Sequence, residues 1–148
     1  MYPVNIELSG RPCLVIGGGH VALRKIKALL EENAAVTAVA PEACREIRDL
    51  ADGNHISWRQ EPYRKGTSGN YFFVITASGN KEIAAWVAEE AKEKSFLYNS
   101  ADFPSMGNCH LPARLKKEGL MITVSTDGRS PAFSKYIKEQ ISRQISDG

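Results

Sequence analysis

The chain has 148 residues, 43% hydrophobic and 24% charged, with 19 Lys and Arg against 17 Asp and Glu and a net charge of +2. These are ordinary globular proportions, and the length suits one domain or one domain with a small appendage. No apolar run approaches the ~20 residues needed to span a bilayer, so no membrane partner is expected. Residues 1–100 are balanced at 12 basic and 12 acidic, whereas residues 101–148 hold 7 against 5. That excess suits an anionic small molecule; a nucleic-acid surface would be more basic, with aromatics interleaved.

Met1-Tyr2-Pro3-Val4-Asn5 has neither a basic n-region nor an apolar h-region, so no leader is expected. Cys13, Cys44 and Cys109 are odd in number and widely spaced, which predicts free thiols and a cytoplasmic protein.

Asn5-Ile6-Glu7-Leu8 alternates and ends at Ser9-Gly10, predicting a short lead-in strand. The first full strand is Pro12–Ile16, followed by a helix over His20–Glu32. Val36–Val39 reads as the second strand, stopped by Pro41, and Glu42–Ala51 as a polar helix with Ala43, Ile47 and Leu50 on one face. His55–Arg59 is the third strand. Tyr71–Thr76 is a continuous apolar run, as a central parallel strand requires. A helix over Lys81–Lys94 and a strand at Phe96–Asn99 complete the series, which predicts a parallel sheet with helices on both faces. Trp58 and Trp86 fall on apolar faces and are expected in the core.

After Asn99 the pattern changes. Cys109–Arg114 and Leu120–Ser125 read as two strands around Lys117-Glu118-Gly119, and Pro131–Ser146 as a helix with Ser130 as N-cap. A hairpin and one amphipathic helix cannot bury their own apolar face, so a second copy of the chain is expected to cover it. The expected architecture is thus α/β: a Rossmann-type parallel sheet over residues 1–102, then a small dimerisation hairpin and helix over 103–148 that also binds substrate.

The chemistry is concentrated in Gly17-Gly18-Gly19-His20-Val21-Ala22, which joins the first strand to the first helix and fits G-x-G-x-x-A. Gly17 lets the chain turn sharply, Gly19 admits a phosphate close to the backbone, and Ala22 lets helix and strand pack tightly. The helix N-terminus then faces the anion. Such a fold usually carries an acid at the end of its second strand, but here the tip is Ala40-Pro41-Glu42. The Pro41 backbone and the Glu42 side chain are expected to hold the ribose, and NAD is expected rather than NADP. Adjacent Cys109 and His110 would point to opposite faces of a strand and His20 and His55 have no partner at ligand spacing, so no metal site is expected.

Taken together, these residues resemble the precorrin-2 dehydrogenases, found alone or as the first module of sirohaem synthases. The resemblance runs from Met1-Tyr2-Pro3-Val4 through Gly10–Gly19, Val21-Ala22 and Arg24-Lys25 to Val36-Thr37 and Val39-Ala40-Pro41. It continues at Phe73–Ala77, Asn99-Ser100-Ala101-Asp102, Pro112-Ala113 and Ser125–Ala132. Where the family often has Asp or Asn then Phe after the cysteine, this chain has His110-Leu111; Ser134 and Lys135 interrupt a hydrophobic pair in the last helix. The helical C-terminal domain of longer members is mostly missing from these residues, which favours dehydrogenation over metal insertion as the expected activity.

The resemblance implies NAD-dependent oxidation of precorrin-2 to sirohydrochlorin by a homodimer, with ferrous iron insertion added in some members. It places Gly17, Gly18, Gly19, His20, Val21, Pro41, Glu42, Thr76, Ala77 and Ser78 at the cofactor and Asp102 in catalysis. Asn99, Ser125, Thr126, Arg129 and Ser130 are expected to bind substrate. On the residues alone, Asp102 reads equally as a turn-capping aspartate before Phe103-Pro104, and Asn99 as a strand-end turn. The rival readings are a bifunctional dehydrogenase and ferrochelatase, and a nucleotide-sensing regulatory domain of the same fold.

Overall fold

β1 (Pro12–Ile16) is apolar on both faces because both are covered, and the rest of the sheet is arranged around it. In the computed structural model, which describes residues 1–146, it is followed by α1 (His20–Glu31), β2 (Ala35–Val39), α2 (Arg45–Asp52) and β3 (Ser57–Arg59). Then come β4 (Phe73–Thr76), α3 (Lys81–Lys94) and β5 (Leu97–Ser100). β6 (Ala113–Lys117), β7 (Leu120–Val124) and α4 (Pro131–Ser146) complete the described chain. Asp147 and Gly148, the end of the segment expected over 103–148, lie outside the described residues. The chain forms two compact units, one of Pro3–Cys109 and one that begins at His110 and includes Met1–Tyr2.

In the first unit five parallel strands lie in the order β3-β2-β1-β4-β5, the Rossmann arrangement. Alternate residues of β1 serve opposite layers. Cys13 and Val15 pack with Ala22, Leu23, Ile26 and Leu29 of α1 and Ile47 of α2. Leu14 and Ile16 pack with Val74, Tyr98 and the α3 residues Val87 and Ala91. The connection from β3 to β4 has no α-helix. Tyr63 fills that place in the core, and its hydroxyl donates to Glu90 of α3 and pairs with the buried Ser68.

β5 is an edge strand, and its free side is blocked locally. The Asn108 side chain accepts from the Tyr98 N–H at 2.8 Å and donates to the Phe96 carbonyl at 2.9 Å, imitating a strand.

The second unit is built on β6 and β7, paired antiparallel through a two-residue turn. Glu118 and Gly119 both have positive φ, at 48° and 83°, the requirement of a tight hairpin whose twist matches its strands. Ser130 caps α4 as expected, its Oγ accepting from the Phe133 N–H at 3.2 Å. Among the described residues after Cys109 only Ser134 is buried, while Leu111, Leu120, Met121, Phe133 and Tyr136 are exposed.

Several elements differ from expectation. Asn5–Leu8 pairs with no strand, so alternation alone did not make it one. The helix expected from Glu42 starts at Arg45, because the Cys44 N–H donates to the Gly18 carbonyl at 2.8 Å and holds the preceding residues in a loop. The strand expected at Cys109–Arg114 is displaced to Ala113–Lys117, since Asn108 and Cys109 are bonded to the edge of β5. Trp58 and Trp86 are only partly buried; Trp58 donates to the Ala40 carbonyl, and the Trp86 ring lies under the Lys65 ammonium.

Asn108→Ala removes two side-chain bonds and leaves the Tyr98 amide and the Phe96 carbonyl without them. Its expected cost is about 1–3 kcal/mol, read as a lower urea midpoint at unchanged slope. An unchanged midpoint would show that water replaces both bonds.

Candidate active site

The sheet order reverses between β1 and β4, and at the carboxyl ends of such strands open α/β sheets bind ligands. The turn leaving β1 there is held on both sides. Gly17 has φ +143°, and a Cβ on it would stand 2.4 Å from the Ala77 carbonyl oxygen and 3.3 Å from the Ala22 methyl. A Cβ on Gly18 would stand 2.0 Å from the Glu42 carbonyl oxygen. Gly19 differs, because a Cβ there meets nothing within 4 Å. It is the N-cap of α1, and no side chain caps that helix, so the first-turn N–H groups remain for an outside acceptor. This arrangement fits a pyrophosphate at Gly19. The fingerprint does not require Gly18; the carbonyl of Glu42 does.

The other expected cofactor residues lie on this edge in different states. His20 and Val21 open α1, His20 exposed and Val21 partly so; Pro41 and Glu42 are exposed in the loop after β2. Thr76 is buried, and its Oγ1 lies 2.8 Å from the Tyr98 hydroxyl, so its side chain serves the core. The Ala77 N–H donates to Ile16 at 2.7 Å, tying the β4 exit to the β1 exit. Ser78 is exposed, its Oγ accepting from the Asn80 N–H at 3.4 Å.

Asp102 follows β5 and is exposed. Its Oδ2 accepts from the Gly79 N–H at 2.6 Å, so the carboxylate binds the loop between β4 and α3. Asn99 is buried, and its amide donates to the Cys109 carbonyl at 3.1 Å. The structure therefore gives Asn99 a structural bond and leaves Asp102 at the surface of the edge.

Electrostatics narrow the choice of reacting groups. Burial pushes the Cys13 and Cys109 thiols up to about 11, which leaves them protonated and poor nucleophiles near neutral pH. Glu46 is held below the usual carboxylate range, first by its hydrogen bond from Lys27 at 2.9 Å, which joins α2 to α1. Burial, with Arg24 beside it, lowers Lys25. Among the described residues no cluster of three or more His, Cys, Asp or Glu could hold a metal.

In the second unit, the loop between β7 and α4 gathers Ser125, Thr126, Arg129 and Ser130. Ser125 Oγ accepts from the Asp127 N–H at 3.1 Å, and Thr126 Oγ1 from the Ser130 N–H at 2.7 Å. With Ser130 Oγ accepting from Phe133, all three hydroxyl oxygens set the backbone while their protons stay able to donate. Arg129 is exposed beside them. His110, assigned no role from sequence, packs on Gly128, and a Cβ there would lie 2.9 Å from its Nδ1.

Comparison with known proteins agrees with this layout. An NAD(P)-binding family model matches residues 4–113, and a model described as the central part of sirohaem biosynthesis protein matches residues 117–144. The precorrin-2 dehydrogenase of Priestia megaterium is 36% identical over 147 residues, covering 99% of this chain and 72% of the relative. The chain belongs to the precorrin-2 dehydrogenase family. The Bacillus subtilis (strain 168) member is 31% identical over 145 residues, covering 98% of this chain and 89% of its own. The solved structure of SirC, a precorrin-2 dehydrogenase, superposes with a TM-score of 0.87 at 35% identity, over 97% of this chain and 71% of that one. The siroheme synthase of Methylococcus capsulatus is 32% identical over 139 residues, but only 29% of its length is matched.

Gly19→Asp separates cofactor binding from folding. Aspartate is a favoured N-cap, so melting temperature should hold or rise, while its charge and bulk oppose a pyrophosphate. Calorimetric titration should show NAD⁺ affinity falling by about tenfold or more, the scale of losing charge-assisted contacts. Unchanged affinity would move the pyrophosphate off this loop.

Proposed function

We propose that the protein oxidises precorrin-2 to sirohydrochlorin, with NAD⁺ taking the hydride and the accompanying proton leaving through Asp102. The observation that carries this reading is the open backbone at Gly19 on the same sheet edge as the exposed Asp102, in a chain that matches dedicated dehydrogenases over most of their length. Bound NAD⁺ supplies the hydride acceptor. The chain's own residues do the rest.

Gly17 and Gly18 fix the turn, and Gly19 with the first turn of α1 holds the pyrophosphate. His20, Val21, Pro41, Glu42, Thr76, Ala77 and Ser78 border the same nucleotide, Thr76 through its backbone. The Gly79 N–H holds one oxygen of Asp102, which orients the carboxylate toward the proton it accepts. Ser125, Thr126, Arg129 and Ser130 bind carboxylates of the macrocycle by hydroxyl, guanidinium and helix N-terminus. Asn99 commits its side-chain amide to the Cys109 carbonyl and so acts on the backbone after β5.

Residues 1–102 carry the nucleotide and 103–148 the substrate grip and the dimer contact. Leu120, Met121, Phe133 and Tyr136 are the side chains a second copy would cover. Three free thiols support a cytoplasmic location. Light scattering at low micromolar concentration should give twice the 16.3 kDa chain mass; a monomer that turns over substrate would refute the dimer.

Asp102→Asn tests the chemistry. With precorrin-2 and NAD⁺, single-turnover oxidation should fall by ~10²–10⁴-fold, the usual contribution of a positioned acid or base. NAD⁺ affinity should change little. A variant that melts earlier yet oxidises at the parent rate would reduce Asp102 to a loop cap.

A further inference from the structure

A dinucleotide fold normally ends its second strand in an acid that holds the ribose hydroxyls, and β2 runs out into Ala40 instead. Ala40 is buried, and its side chain offers nothing polar. Glu42 follows, exposed, with its backbone carbonyl against Gly18. Another carboxylate arrives just past the neighbouring strand. The carbonyl of Arg59, the last residue of β3, accepts both the Ala40 N–H at 3.3 Å and the Glu61 N–H at 2.9 Å. One oxygen thus binds Glu61 to the residue where the fingerprint requires its acid.

The Glu61 side chain is only 28% exposed, and each oxygen has a guanidinium partner. Oε1 lies 3.2 Å from Arg59 Nε, and Oε2 lies 3.6 Å from Arg64 Nη2. Both arginines are at least half exposed, and such pairs contribute little to stability. Stability is therefore a poor reason for the cluster.

We propose that Glu61 is the displaced acid of the nucleotide site, and that it sets NAD over NADP by occupying Arg59 at the tip of β3 and Arg64 in the segment that follows. The proposal rests on the NAD reading above. A ribose hydroxyl donates to a carboxylate. A 2′-phosphate is repelled by one and would need the guanidinium donors that Glu61 engages. Without the Glu61 charge, the same two arginines become a phosphate site.

The test is calorimetric titration of the full chain with NAD⁺ and with NADP⁺, which reads binding without turnover. The parent should prefer NAD⁺. Glu61→Gln should tighten NADP⁺ by about tenfold or more, the size of a charge-assisted contact, and weaken NAD⁺. That gain should shrink at high salt and vanish when Arg59→Gln is added. Glu61→Asp, which keeps the charge, should keep the NAD preference and serves if the glutamine variant does not fold.

An unchanged NADP⁺ to NAD⁺ ratio in Glu61→Gln, with NAD⁺ still bound, overturns the proposal and leaves the NAD reading intact. So does a shift of the ratio by Glu42→Gln alone. A parent chain that binds neither nucleotide overturns both.

Discussion

The turn after β1 is fixed by two carbonyl groups from other parts of the chain, Ala77 behind Gly17 and Glu42 behind Gly18. No L-residue fits either place without moving backbone, since real Cβ atoms do not approach within 3.0 Å of such oxygens. The first contact sets the β1 exit against the β4 exit, and the second lays the loop after β2 across the turn. With both sides closed, the remaining approach to the N-terminus of α1 is at Gly19. The nucleotide edge is therefore a consequence of packing, and its polarity comes from backbone N–H groups that no side chain caps.

That constraint reaches Asp102 through short links. Ala77 bonds Ile16, the Thr76 carbonyl accepts from Ala101, and the Gly79 N–H donates to Asp102. A carboxylate bonded to the loop after β4 is positioned by the same strand pair that positions the glycine turn. Loop capping and the catalytic role proposed for Asp102 are thus compatible, because the bond to Gly79 fixes the direction in which the carboxylate points.

Legibility in the sequence followed how local the cause was. Cys13–Ile16 and Tyr71–Thr76 announced central strands because burial on both faces makes continuous apolar runs. The helices α1 and α3 were legible from their 3.6-residue stripes, and Ser130 from its place before Pro131. Asn5–Leu8 has the alternation of a strand but no partner, and pairing is a property of the other chain segment. The late start of α2 depends on Cys44 reaching Gly18, and the shifted hairpin on Asn108 and Cys109 reaching β5. The roles of Asn99 and Glu61 depend on backbone groups of Cys109 and Arg59, a relation that spacing does not encode. The glycine edge was readable, whereas the reason for Gly18 needed the carbonyl of Glu42.

The second unit poses a different physical problem. A two-stranded hairpin and a 16-residue helix bury no apolar side chain among the described residues, and so small an assembly has little with which to offset its ordering entropy. Fully burying a large apolar side chain is worth about 1.5–3 kcal/mol, so covering what remains exposed of Leu120, Met121, Phe133 and Tyr136 would supply a fraction of that from each. The loop Ser125–Ser130 joins β7 to α4, and its hydroxyl oxygens accept from backbone N–H groups of the loop and of α4. Whatever surface covers the hairpin and helix therefore also fixes the loop that presents Arg129. The unit Pro3–Cys109 differs, because it has two apolar clusters of its own.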